Sequence, residues 1–289
     1  MNTVAKKVVD PRADPDVPQG MSIELLQELH LLTRDGQLNA DARRKLKQIR
    51  HLVGLLRPAL DDAFQRHGAP ALVDCGAGKS YLGFLLYELV LGPAGRGTLF
   101  SVESRAELSA AAAARAAHHG HERFRFVEGT IESARAGGAL PERVHVVTAL
   151  HACDTATDDA LALAVARGAE HIAVVPCCQA EVARQLAAGK DRDAADQALV
   201  RHPLHRRELG SHLTNVVRGL SLEAHGYHVT VTELVGWEHA MKNEILIARK
   251  HQRTDRIARE TLARLLGRWK IEPATVTKLR EAGFDPLAA

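Results

Sequence analysis

The chain has 289 residues, 46% apolar and 4% aromatic, with 38 Lys and Arg against 35 Asp and Glu. That length suits one large α/β domain with additions, and the apolar share supplies a real core. A formal charge of +3, with sixteen His besides, permits a nucleic-acid partner if the basic residues cluster but does not demand one. No run approaches the roughly 18 apolar residues of a membrane-spanning helix, so no membrane partner is expected.

Met1 to Gly20 carries charges and four Pro or Gly but no apolar signal core. It reads as a disordered leader, and the chain as cytoplasmic. Residues 22–32 and 40–67 read as helices. In the second, Leu46, Ile49, Val53, Leu56 and Leu60 recur at spacings of three and four and form an amphipathic stripe. Arg43, Lys47, Arg50 and Arg57 share another face. That face is either a solvated flank or a phosphate-contacting surface. Pro58 is expected to kink or split the helix.

From residue 71 onward strands and helices alternate, the signature of a mostly parallel sheet covered on both faces. Strands are expected at 71–75, 97–103, 124–128, 143–150, 170–176, 227–234 and 244–249. Helices are expected after 75 to about 91, and at 106–118, 156–167, 208–225 and 254–269. Between strands five and six runs a long connection, 177–226, polar and charged over Asp191 to Arg207. Such connections at strand carboxyl ends often carry substrate contacts. The division is a leader over 1–20, a helical extension over 21–68, a main domain over 69–250 and a helical tail over 251–289. Cys75, Cys153, Cys177 and Cys178 all fall at or beside strand ends. The vicinal pair suits a disulfide framework poorly, so the thiols read as reduced.

The most informative stretch is Ala71-Leu-Val-Asp74-Cys-Gly76-Ala-Gly78-Lys-Ser80. It is a buried strand, then a glycine turn, then a Leu-rich helix. Glycines let the backbone bend sharply and let a ligand approach it closely. A nucleoside-triphosphate loop would need glycine five residues before Gly78, where Val73 stands; a dinucleotide turn would need it at Tyr81. An acid just before the glycines suits a ligand bearing an amino group. The stretch resembles motif I of class I S-adenosylmethionine (SAM) methyltransferases, with Ser80 at the third glycine. The resemblance implies a Rossmann-like, seven-stranded, mostly parallel sheet whose last strand inserts antiparallel. It also implies SAM as cofactor.

Ligands of such sheets bind at the carboxyl ends of the strands. Asp74, Gly76 and Gly78 follow strand one. Glu103 and Ser104 follow strand two, and a carboxylate there can accept bonds from ribose hydroxyls. Gly129, Thr130 and Ile131 follow strand three, where the resemblance implies that Thr130 or Ile131 packs on the adenine; Leu150 closes strand four, and all four are candidate cofactor residues. Beyond it runs His151-Ala-Cys153-Asp154-Thr-Ala156-Thr157-Asp158, and beyond strand five Pro176-Cys177-Cys178-Gln179. These runs resemble the family that includes eukaryotic acceptor-stem tRNA 2'-O-methyltransferases, which carries Gly where Asp154 stands and continues with Cys and His where Gln179 stands. His151, Asp154 and Cys177 are the candidate catalytic residues, for proton transfer or for positioning. A metal site from His151 and the three nearby cysteines matches no standard spacing, and none is expected. Trp237, between strands six and seven, is a candidate to stack on a base, beside Arg43, Lys47 and Arg50 on phosphates. The reading is a SAM-dependent methyltransferase of RNA, ribose 2'-O or base. Its rivals are a protein or small-molecule methyltransferase and a non-catalytic SAM-fold binding subunit.

Overall fold

The computed structural model describes residues 10–150, 152–176, 179–189, 192–233, 244–251 and 253–288. Two helices come first, α1 (Ile23–Glu28) and α2 (Ala40–Arg66). Strand β1 (Ala71–Cys75) leads into α3 (Tyr81–Leu86), one π-helical turn over Tyr87–Leu91, and the short α4 (Gly92–Ala94). Then follow β2 (Thr98–Glu103), α5 (Ala106–His118), β3 (Phe124–Glu128), α6 (Ile131–Ala136), β4 (Val146–Ala149), α7 (Ala156–Ala166) and β5 (His171–Val174). The chain closes with α8 (Glu181–Ala188), α9 (Ala194–Arg201), α10 (Pro203–Ala224), β6 (Tyr227–Glu233), β7 (Glu244–Lys250), α11 (Arg256–Trp269) and α12 (Ala274–Glu281).

The seven strands form one sheet in the order β3-β2-β1-β4-β5-β7-β6. The first five are parallel, and β7 inserts antiparallel between β5 and β6. Side chains alternate across the sheet, as strand geometry requires. Leu72, Leu99, Val146 and Ala173 enter one core with α1, α2, α3 and α5. Val73, Val102, Val147 and Ile172 enter the other with α6, α7 and α12. Order reverses at β1, which places β2 on one side and β4 on the other, so the open crevice lies past the carboxyl ends of β1 and its neighbours.

Three expectations are corrected. First, α2 is not split: it runs unbroken through Pro58. Pro58 and Gly54, whose carbonyl would accept its missing N–H bond, both face solvent, so the freed carbonyl is not buried without a partner. Leu46, Val53, Leu56 and Leu60 bury as the stripe required; the side chain of Ile49 lies outside what is described. Second, the leader is folded from Asp10. Val17 is in the core, and Asp14 and Asp16 both pair with Arg43. Third, the polar part of the long connection is helical over α9 and the start of α10. Asp193 caps α9 by accepting from the Asp196 amide at 2.8 Å, and Val182, Leu186, Val200 and Leu213 build a small core with Trp269 and Ile271.

Arg218 on α10 is buried completely, against Asp158 on α7. Its Nε and Nη2 donate to the two Asp158 oxygens at 2.8 Å each. Nη2 also donates to the Asp154 carbonyl at 2.9 Å, and Thr275 on α12 donates to Asp158 at 2.6 Å. A buried pair loses far more when one partner goes than it contributes when both are replaced. Arg218→Met should therefore cost about 3–5 kcal/mol in equilibrium urea unfolding. The double variant Asp158→Asn/Arg218→Met should recover part of that loss; an unchanged midpoint in the single variant would show the pair to be inert.

Candidate active site

Register sets the floor of the site. Ser101, Asp74 and Thr148 are aligned partners on three adjacent strands, so their side chains form one polar row across the sheet. Thr148 Oγ1 donates to Asp74 Oδ1 at 2.8 Å. The Ser101 hydroxyl meets that of Ser80 at 2.9 Å. Above the row the turn bends through three left-handed residues, Gly76 (φ 64°), Gly78 (φ 59°) and Ser80 (φ 57°). Ser80 thus takes the conformation that glycine adopts freely, and its buried hydroxyl bond offsets the strain. A Cβ on Gly76 would stand 3.6 Å from Ala152, so the loops after β1 and β4 already touch.

Glu103 turns back toward the turn. Its Oε2 accepts from the Gly78 amide at 2.7 Å; its Oε1 accepts from the Arg105 amide at 3.0 Å and the Arg105 Nε at 2.8 Å. Burial alone would raise this carboxyl, but those donors hold it below its ordinary range. Asp74 is the opposite case. It is buried, no cationic side chain faces it among the described residues, and burial pushes it up to about 7 against the pull of Thr148. A buried acid lacking a cation, beside an open glycine turn, suits an incoming ammonium. A second acid beside the turn amide suits a diol. The donor set therefore fits SAM.

The other expected residues divide. Ser104 is exposed just past β2, and Leu150 is half-buried. Gly129 (φ 145°) makes a close approach, its missing Cβ position 2.7 Å from the Ser133 hydroxyl oxygen. Thr130 is exposed and caps α6, accepting from the Ser133 amide. Ile131 departs from expectation: it is 7% exposed inside the core with Val102 and Ala134, which leaves little of its side chain for an adenine. His151, Cys177 and Trp237 lie outside the described residues.

Asp154 also departs from expectation. It is left-handed (φ 50°), where an Asp is tolerated better than most residues but still strained. Its Oδ1 accepts from the amides of Ala180 and Glu181, and its Oδ2 from Arg184 at 3.2 Å. Although burial raises its pKa, those donors lower it overall. A carboxylate so engaged ties the β4 loop to the start of α8 and is a poor proton acceptor. Sequence alone did not reveal Arg218, which holds the same loop by the Asp154 carbonyl, or Thr148; no local motif marks either.

On the basic face, Arg43 is paired with Asp14 at 2.7 Å and with Asp16. Arg50 donates to the Pro15 carbonyl at 2.6 Å, and Lys47 stands 3.8 Å from Asp16. The folded leader therefore neutralises part of that face.

The state of Asp74 makes a pH prediction. A folded pKa near 7, above the ordinary 3.8, means the protonated acid is favoured without ligand. That contribution is full below about pH 4 and lost as pH rises through 7. An ammonium ligand favours the ionised form. SAM affinity should therefore rise between about pH 5 and 7 and level above, with proton release visible by calorimetry in buffers of different ionisation enthalpy. Asp74→Asn should bind more weakly and without that slope. A flat wild-type profile would remove Asp74 from the cofactor site.

Residues 44–185, just under half of the chain, match a family model described as a methyltransferase domain. No curated protein sequence matches. Among solved structures, an SAH-bound Podospora anserina methyltransferase is 14% identical, over 81% of this chain and 89% of that one, with a TM-score of 0.45. An rRNA methylase from Streptococcus thermophilus is 11% identical (64% and 88%, TM-score 0.41), and a precorrin-6y C5,15-methyltransferase from Geobacter metallireducens 16% (63% and 80%, TM-score 0.38). Similarity at this level carries nothing about substrate. No helix of the described residues is long and apolar enough to cross a membrane. The sheet order is that of a Rossmann-like α/β fold, residues 44–185 match a methyltransferase domain, and the acid-glycine turn suits SAM; together these mark an enzyme of SAM-dependent methyl transfer.

Proposed function

We propose that this methyltransferase acts on RNA. The observation that carries the reading is a hollow of about 400 Å³ on α2, lined by Lys47, Arg50, His51, Gly54 and Leu55. Only residues 67–70 join α2 to β1, so the helix runs back antiparallel to the strand. Its carboxyl end meets the amino edge of the sheet, where Asp62 reaches His171 at 2.7 Å. Lys47 lies fifteen residues earlier, roughly 22 Å along the axis at about 1.5 Å per residue. That length exceeds a four-residue strand, which supports a place for Lys47 on the side of the glycine turn. The His51 Nε2 is buried there without a hydrogen bond. The resemblance of His151 to Asp158 to the tRNA-methylating family points the same way.

Bound SAM supplies a methyl group on a sulfonium, ready for a nucleophile on the acceptor. The chain's part is positioning, which such a transfer chiefly needs. Ionised Asp74 pairs with an ammonium, and Glu103 shares its oxygens between the Gly78 amide and hydroxyl donors. His151 and Cys177 are proposed to face the acceptor, Trp237 to stack on its base, and Lys47 and Arg50 to meet phosphates.

Incubation with SAM labelled on its methyl group and fractionated cell extract should put label into RNA, seen as methylated nucleosides after digestion. Label confined to protein or to small molecules would overturn the reading. RNA affinity should fall steeply with salt, and neutralising Lys47 or Arg50 should flatten the slope by somewhat under one unit each. Asp154→Ala should keep turnover within a few-fold, whereas the loss of about 10²–10⁴-fold typical of a proton-transfer group would restore its catalytic part.

A further inference from the structure

On the flank where the N-terminal extension meets α5 stands a cluster that the methyl-transfer site does not use. Glu28 ends α1, His118 ends α5, and His119 follows as its cap. Their ligand atoms all lie within 4.8 Å of one another. Glu28 Oε1 is 3.5 Å from His119 Nε2 and 3.7 Å from His118 Nε2. Donors around a tetrahedral ion at about 2.0–2.1 Å sit roughly 3.3 Å apart, so closure needs only small side-chain shifts.

Two further observations point to a ligand. The His119 side chain is 7% exposed, and its Nε2, facing Glu28, makes no hydrogen bond. A buried polar nitrogen is rarely left so. The other Glu28 oxygen is held by Arg115 Nε at 3.1 Å, which orients the carboxylate with Oε1 toward both imidazoles. That is the kind of outer bond that fixes metal ligands. His118 is more than half exposed and gives access from solvent, with Glu24 Oε1 3.4 Å from its Nε2.

We infer that Glu28, His118 and His119 form a zinc site pinning the N-terminal extension to the methyltransferase domain. Two imidazoles and one carboxylate suit a borderline cation such as Zn²⁺ and not Mg²⁺ or Ca²⁺, which take oxygen ligands. Water would complete the shell.

The test uses the full chain, free of any tag and stripped by chelator, titrated with Zn²⁺ by calorimetry and scored by thermal melting. One equivalent should bind and raise the melting temperature. His118→Ala, at an exposed position that should not disturb folding, should weaken binding by more than about 100-fold, as should His119→Gln. The Cys177→Ser/Cys178→Ser variant should bind as the parent does. No binding would reduce the cluster to imidazole–carboxylate ion pairs and overturn the site. Binding retained in His118→Ala, or equal binding of Ca²⁺, would overturn it as well.

Discussion

Two full charges buried together, Asp158 and Arg218, hold the outer helices to the reactive edge of the sheet. Each is about 1–2% exposed, and such a pair is tolerated only where its remaining donors and acceptors are met. Here they are met from several elements. Thr275 comes from α12, Asn215 from α10, and the Asp154 carbonyl from the β4 loop. Asn215 extends the chain of bonds to Gln179 after β5 at 3.0 Å, and Gln179 to Ser211 at 2.9 Å. The Asp158 carboxylate is fully met only when α7, α10 and α12 are docked together. The C-terminal helices thereby become part of the scaffold of the β4 and β5 loops.

The two acids at the cofactor edge show how environment separates like groups. Glu103 is surrounded by the Gly78 amide and both donor types of Arg105, and stays ionised. Asp74, one strand away, has a hydroxyl donor and no cation among the described residues. Desolvation dominates there, and the acid is left unmatched until something positive arrives. The strained Asp154 carries a third charge distribution, bonded outward to α8. Of three acids at neighbouring strand ends, one is buried with a hydroxyl donor, one accepts from the turn amide, and one is bonded to α8.

Much of this was legible in the sequence where the physics is local. Alternation placed β1 and β3 on their observed residues and the other strands within three residues of theirs. Acid, glycines and strand end together read as a turn, and Gly76, Gly78 and Ser80 do take left-handed backbone just after β1. What was not legible depends on partners far away in the chain. The 191–207 stretch reads as polar because its outward faces are wet, while Val200 and Leu213 find their core only with Trp269 and Ile271. The leader reads as disordered because buried apolar residues such as Val17 are few in it, yet the core takes Val17 up and Arg43 pairs Asp14 and Asp16. Glu28 and His118 are ninety residues apart, and no spacing rule joins them.

The extension is thus an integral part of the molecule and not an appendage. Its apolar residues Leu25, Leu26, Leu46 and Leu56 share one core with Leu72, Leu99 and Val146 of the sheet. Ser22 donates to Glu88 at 2.6 Å, and His121 meets the other Glu88 oxygen at 3.1 Å. Since α2 is continuous and antiparallel to β1, burying its stripe also fixes where its basic end projects. The same packing that stabilises the domain therefore holds Lys47 and Arg50 beside the leader, near Asp16 and the Pro15 carbonyl. The leader, by neutralising Arg43, limits how much of that charge a partner can meet. Charge count alone overstates such a face, because pairing within the chain decides which cations remain available.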